Sequence, residues 1–261
     1  MEIWQAIVLG IVQGLCEFLP VSSSGHLILM QRWLGVTEGG LFFDVMLHIG
    51  TLIPVIIVFF KEILELFKKP FKKMILLITA TIPAVITGMF LGDTIDSVFY
   101  RGDLLSVVLL SVTFVLTAVE LFFAEKVSKK AESLPLSYKS ATIMGLAQGL
   151  AILPGLSRSG TVISAGSFSK LERSENASFA FLMSIPIIFG AAVISGYKCV
   201  KGGVNIEIIP LIFGVLSSAI MGYVAIKVML KVIKKANYKW FSLYLVLLAV
   251  SSIVVKLAFN V

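Results

Sequence analysis

Two apolar stretches of the chain, residues 3–35 and 140–170, are each broken near the middle by a cluster of proline, serine and glycine. A helix must run for about 20 mainly apolar residues to cross the hydrocarbon core of a bilayer. Neither half of either stretch is that long. Backbone that leaves a helix at membrane depth is tolerated only where protein or a water-filled cavity surrounds it. The expected arrangement is therefore two re-entrant helix–loop–helix hairpins, each entering and leaving on one side, walled in by complete spans. Six uninterrupted apolar runs supply those spans, at about 41–60, 74–92, 104–124, 178–197, 207–230 and 240–259.

Composition agrees with a membrane setting. The chain is 58% hydrophobic and only 14% charged, against roughly 45–50% and 25% in soluble domains, so it lacks the polar surface to cover a water-facing globule. Disorder is excluded on the same grounds, and two cysteines, Cys16 and Cys199, do not make a disulfide scaffold. The net charge of +7 sits in short clusters between apolar runs, a pattern of membrane-face loops rather than of nucleic-acid binding. The loops after the first, third and fifth spans, with the end of the second hairpin, carry fifteen lysines and arginines, against five on the opposite face. By the positive-inside rule the first face is cytoplasmic and both termini lie outside. The stretch KEILELFKKPFKK, residues 61–73, is expected to lie along the interface with anionic lipid.

The interruptions are copies of one another. Residues 9–25 read LGIVQGLCEFLPVSSSG and residues 144–160 read MGLAQGLAILPGLSRSG. Gly10, Gln13, Gly14, Leu15, Ser22, Ser24 and Gly25 match Gly145, Gln148, Gly149, Leu150, Ser157, Ser159 and Gly160 at a constant offset of 135. Each copy is one hairpin followed by three spans. Three is odd, so the second copy (about 140–261) enters from the face opposite the first (about 1–125), giving an inverted-topology repeat within a single membrane domain, 1–261. Such repeats put binding sites near the midplane, at discontinuous helices. The two tips can then meet, and a helix begins after each, near Gly25 and near Gly160. Helix N-termini offer unpaired N–H groups and a positive dipole end. With the hydroxyls of Ser22–Ser24 and Ser157–Ser159, two facing tips make an oxyanion or phosphate site.

Three ionisable residues lie on or beside the tips, where charge is expensive and usually functional. Arg158 suits phosphate oxygens through its planar fork; the bland alternative is a buried ion pair with Glu17. Glu17 is otherwise a metal ligand or proton acceptor. Gln13 stands four residues before it on the same helical face, so the two could share a hard cation, Mg²⁺ or Ca²⁺, with phosphate oxygens and water completing the shell. His26 follows three serines, which suggests a Ser–His pairing for nucleophilic catalysis; the bland alternative is a histidine satisfied by structural hydrogen bonds. His48, four residues after Asp44, reads as a local hydrogen bond. Glu120, near the cytoplasmic end of the third span, reads as interfacial.

The run QGLCEFLPVSSSGH, Gln13 to His26, together with PGLSRSG, Pro154 to Gly160, resembles the undecaprenyl-diphosphatase family, also called the bacitracin-resistance family. The two motifs cover 21 residues, and length, span pattern and repeat agree along the whole chain. The resemblance implies hydrolysis of undecaprenyl diphosphate to undecaprenyl phosphate, the lipid carrier for peptidoglycan and other cell-wall sugars, in the bacterial cell membrane. It puts Glu17 on the family's essential acidic position of the Glu/Gln-x-x-x-Glu motif, Ser23 and His26 on its catalytic serine and histidine, and Arg158 on its phosphate-binding arginine. This chain has Gln13 at the first motif position, which weakens a two-carboxylate metal site.

The sequence thus implies metal-assisted phosphoryl transfer in a pocket open to the outer face. Arg158, Ser157, Ser159 and Gly160, with Gln13, Ser22, Ser24 and Gly25, are expected to bind the phosphates. Ser23 is the expected nucleophile with His26 as base; Ser22 or Ser24 in that role, and direct attack by water, are the alternatives. Type-2 phosphatidic acid phosphatases also use Ser-Gly-His and Ser-Arg elements, but they need a further histidine after the arginine. The chain's histidines, His26 and His48, both precede Arg158. The competing class is a transporter or flippase of a phosphate-bearing prenyl lipid, against which stands the chemical asymmetry of the hairpins. The expected partners are the prenyl diphosphate lipid and membrane lipids, with a second copy of the chain as a candidate and no nucleic acid.

Overall fold

The structure, a computed structural model, describes residues 1–36, 40–130, 133–202, 207–235 and 237–259. Among these residues the chain is all-α, with twelve helices and one isolated bridge between Leu134 and Leu171. The first half contains α1 (Ile3–Phe18), α2 (Ser23–Trp33), α3 (Gly40–Val58), α4 (Phe60–Leu66), α5 (Lys72–Phe99) and α6 (Leu104–Lys130). The second contains α7 (Tyr138–Leu150), α8 (Arg158–Phe168), α9 (Arg173–Leu182), α10 (Ser184–Gly202), α11 (Ile208–Lys235) and α12 (Lys239–Phe259). Five segments are long and apolar enough to cross a membrane, α9 and α10 counting as one; a sixth arises if the bent pair α3–α4 is one span. This is an integral membrane protein with several spans.

The local chemistry explains the breaks. Pro20 disfavours helix at the residue before it, and Leu19 is already extended, with φ −74° and ψ 142°. Ser22 then caps α2 by accepting the Gly25 N–H on its hydroxyl (3.3 Å). The second copy repeats the device 135 residues on, where Ser157 Oγ accepts the Gly160 N–H (3.2 Å) and caps α8. The helices therefore begin at Ser23 and Arg158, two residues earlier than expected. The fourth span also starts early, at Arg173, because α9 runs into α10 across Met183. After α3 the chain turns by 83° into α4, which starts the segment expected at the interface.

Three helix pairs make the most extensive contacts. α1 lies against α11, α7 against α5, and α6 against α12. Where α1 meets α11, a Cβ built on Gly10 would stand 2.2 Å from the Gly214 carbonyl oxygen, and one on Gly14 would stand 2.5 Å from that of Ser218. Where α7 meets α5, Gly145 approaches the Ala80 carbonyl in the same way (2.7 Å) and Gly149 approaches Pro83 (3.3 Å). Small residues let helices approach closely, which substitutes for the missing hydrophobic drive in lipid. Outer faces carry large apolar side chains, Met89 and Phe90 among them. The core is closed by Phe181, whose ring contacts Phe18 edge-on (5.7 Å) and Phe59 (5.6 Å).

Gly10→Val and Gly145→Val are each expected to lower stability by about 1–3 kcal/mol through overpacking. The readout is the melting temperature in detergent, and unchanged melting would contradict the close backbone approach.

Candidate active site

The two interrupted segments touch at their tips. Ser159 Oγ donates to the Leu19 carbonyl (3.3 Å), and the tips approach closely at Gly25 and Gly160, whose built Cβ positions stand 3.0 Å from Gly155 and 3.1 Å from Pro20. The irregular backbone between the helices is satisfied by neighbouring groups of the chain. On the second tip Thr113 Oγ1 donates to the Pro154 carbonyl (2.7 Å), and Thr117 Oγ1 accepts the Ser157 N–H (3.0 Å), both from α6.

Glu17, near the end of α1, is the hub between the tips. One carboxylate oxygen takes the Arg158 guanidinium from the opposite half of the chain. The other accepts Ser23 Oγ–H (2.7 Å) and Gln13 Nε2–H (3.0 Å), and His48 Nε2 lies 3.3 Å from it. The Glu17 side chain is buried, and Arg158 retains 17% exposure. Both face a cavity of about 200 Å³ that Ser22, Ser23, Ser24 and His48 also line, with Ile152, Leu156, Ile187 and Ile188 on its apolar side. The Ser23 and Ser24 amides, first in α2, make no hydrogen bond within the described chain. Arginine, two amide donors, hydroxyls and one carboxylate around a low-dielectric cavity can bind a phosphate and accept a proton from a hydroxyl beside it.

Not every expected residue stands at this cavity. Ser157, Ser159 and Gly160 are buried in the wall, occupied with the α8 cap and the contact to Leu19. Gly25 is likewise packed against Phe114. The expected Ser23–His26 pairing is absent. His26 Nδ1 lies 2.7 Å from the Ser22 carbonyl and Nε2 lies 2.7 Å from the Tyr244 hydroxyl, so Ser23 is paired with Glu17 instead. The reason is competition: both His26 nitrogens are taken, one by the Ser22 carbonyl a turn back and the other by Tyr244 of α12, while the Ser23 hydroxyl turns to the Glu17 carboxylate of α1. Glu120 is not simply interfacial, since it accepts Thr161 Oγ1–H (2.7 Å) in the first turn of α8.

His48 is the residue the sequence undervalued. Its Nδ1 does make the local contact, to the Asp44 carbonyl (2.8 Å), while Nε2 reaches Glu17 across the helix interface. An ionisable side chain in the middle of an apolar span was the available signal. As for metal, no group of three His, Cys, Asp or Glu residues occurs among the described residues. Besides the serine hydroxyls, the cavity is lined by one carboxylate, that of Glu17, and Gln13 Oε1 four residues before it is buried without a partner. Such a set fits a hard divalent cation as a partial shell only.

A sequence profile described as bacitracin resistance protein BacA matches residues 6–251. The chain belongs to the BacA family. An undecaprenyl-diphosphatase of Carboxydothermus hydrogenoformans is 41% identical over 263 residues, which cover 99% of both chains. One from Thermodesulfovibrio yellowstonii is 40% identical over 250 residues, covering 92% of this chain and 94% of its own. Undecaprenyl-diphosphatase 4 of Bacillus cereus is 40% identical, over 92% of both. The BacA profile spans both tips, so Glu17 and Arg158 lie within one family unit.

Arg158→Ala leaves the Glu17 carboxylate buried without its main counter-charge. It is expected to cost about 3–5 kcal/mol of stability, whereas Glu17→Gln combined with Arg158→Gln costs less than Arg158→Ala alone. Unfolding in detergent measures both, and equal losses would contradict a paired buried charge.

Proposed function

We propose that this chain hydrolyses undecaprenyl diphosphate to undecaprenyl phosphate and inorganic phosphate, recycling the lipid carrier for peptidoglycan synthesis and conferring bacitracin resistance. The observation that carries the reading is Ser23 Oγ donating to Glu17 beside Arg158, in a family whose named relatives are undecaprenyl-diphosphatases. Arg158 and the Ser23 and Ser24 amides hold the diphosphate, and the apolar side of the cavity faces its prenyl chain.

In the first step Ser23 Oγ attacks the terminal phosphorus while its proton passes to Glu17 Oε2. The Oγ–P bond forms, the bridging P–O bond breaks, and undecaprenyl phosphate leaves with the electron pair. Water then attacks the phosphoserine, Glu17 returns its proton to Ser23 Oγ, and inorganic phosphate departs. Phosphoryl transfer asks mainly for positioning and charge stabilisation, which Arg158 and the α2 amides supply. Glu17 and Gln13 would hold part of the shell of a divalent cation, Mg²⁺ or Ca²⁺, which when bound would neutralise diphosphate charge.

The architecture belongs to the same proposal. The halves are read as an inverted-topology repeat with re-entrant α1–α2 and α7–α8. The repeated serine caps support this, as do the crossed packing of α1 on α11 and α7 on α5 and the apolar helices after each tip, three in each half when the bent pair α3–α4 counts as one span. The charge bias supports a bacterial cell membrane with both termini and the site opening on the outer face. Self-association into a homodimer belongs to the same reading.

The test is phosphate release from a C55 or C15 prenyl diphosphate by purified protein in detergent, with EDTA or added Mg²⁺ or Ca²⁺. Glu17→Gln and Arg158→Ala are each expected to lower kcat/KM at least about 10²-fold, and EDTA to abolish release. Residual Ser23→Ala activity would favour direct attack by water. Absence of release by folded wild-type protein under every metal condition would overturn the enzyme and favour lipid transport.

A further inference from the structure

The serine tip of the first hairpin is held in a conformation that serine does not choose. Ser22 has φ 69° and ψ 95°, in the left-handed half of backbone space that favours glycine. Residues held there persist only when their surroundings over-determine them. Its carbonyl is fixed by the His26 ring, whose Nδ1 lies 2.7 Å away, and by the His26 N–H (3.2 Å). A carbonyl can only accept, so Nδ1 carries a proton. Nε2 is then the acceptor in neutral imidazole, and the Tyr244 hydroxyl, 2.7 Å from it, donates to it. The lone pair that a general base would use on Ser23 is already taken. The ring is also clamped on both sides. Tyr244 of α12 stacks on it, with centroids 5.7 Å apart and planes 11° apart, and Phe114 of α6 meets it edge-on at 5.8 Å.

We propose that Tyr244 and His26 form a brace that holds Ser22 in its strained conformation and thereby aims Ser23 Oγ at the Glu17 carboxylate. Both are positioning residues: Tyr244 holds the His26 ring through Nε2, and His26, its proton set on Nδ1 by the Ser22 carbonyl, fixes that carbonyl one residue before the reacting hydroxyl. The arrangement answers the one on the other tip, where α6 threonines hold the Pro154 carbonyl and the Ser157 amide. α12 thus does for the first tip what α6 does for the second, as expected of matching elements in a repeat. This inference rests on the diphosphatase reading for its consequence in rate, but not for its geometry.

Two readouts separate the two. The chain has only two histidines, so ¹⁵N spectra of histidine-labelled protein contain two rings, and His26→Asn removes one of them. In the remaining wild-type assignment, His26 is expected neutral with its proton on Nδ1, and Tyr244→Phe is expected to shift its Nε2 resonance. Kinetically, Tyr244→Phe should lower kcat about two- to tenfold, the equivalent of one ordinary hydrogen bond, with KM nearly unchanged. His26→Ala should lose about 10²-fold in kcat, as for a misplaced reacting group. His26→Asn, which can still donate to the Ser22 carbonyl, should recover about tenfold of that loss and keep the wild-type pH–rate profile. The brace is overturned if Tyr244→Phe leaves both rings and kcat unchanged. It is also overturned if His26→Asn and His26→Ala are equally inactive and the acid limb of the profile is lost, as for a general base. Should His26→Ala fail to fold, Tyr244→Phe and His26→Asn decide alone. A folded wild type that releases no phosphate yet gives the expected ring spectra would overturn the diphosphatase reading and leave the brace standing.

Discussion

The ion pair between Glu17 and Arg158 joins residues 141 positions apart and sits where two broken helices meet. Removing either charge from water costs several kcal/mol, and their attraction offsets that cost only with good geometry and further hydrogen bonds. Glu17 has those bonds, from Ser23 and Gln13, with His48 alongside. Arg158 keeps some exposure toward the cavity, so its guanidinium can turn to a phosphate while the carboxylate stays held by its other partners. The pair ties the halves of the chain together, and in the proposed mechanism it also keeps a cationic group ready for the diphosphate. The rest of the fold supports that contact. The glycine seams seat α1 and α7, Pro20 ends α1, and the serine caps start α2 and α8 beside the cavity.

The repeated motif contributes to one cavity rather than two. Each half contributes a tip to the same cavity, but the tips differ in chemistry. Ile152 stands where the first half has the sequence around Glu17, and Arg158 stands where the first half has Ser23. One tip brings the carboxylate and the hydroxyl, and the other brings the guanidinium. The equivalent backbone devices remain in both, which is visible in Ser22 and Ser157 capping their helices through the same atoms.

Much of this was legible in the sequence because the strongest signals were local. Proline, serine and glycine within apolar runs marked the breaks, and the offset of 135 marked the repeat. Glu17 and Arg158 stood out as charges at membrane depth. Contacts that depend on how helices face one another were not legible. His26 read as Ser23's partner from adjacency, whereas the helix turns its ring toward α12. His48 read as a partner of Asp44, and it is, through the backbone carbonyl, but its other nitrogen reaches α1. Tyr244 gave no signal, since an aromatic in an apolar span reads as lipid-facing. Ser157 and Ser159 matched an anion cradle in pattern, yet their hydroxyls are consumed in holding the tip.

The most direct measurement is a double-mutant cycle in kcat/KM for phosphate release, using Glu17→Gln, Arg158→Gln and the pair together. If the two side chains act as one unit across the halves, the double variant is little worse than the poorer single variant. Losses that multiply independently would contradict a shared site at the meeting of the two tips.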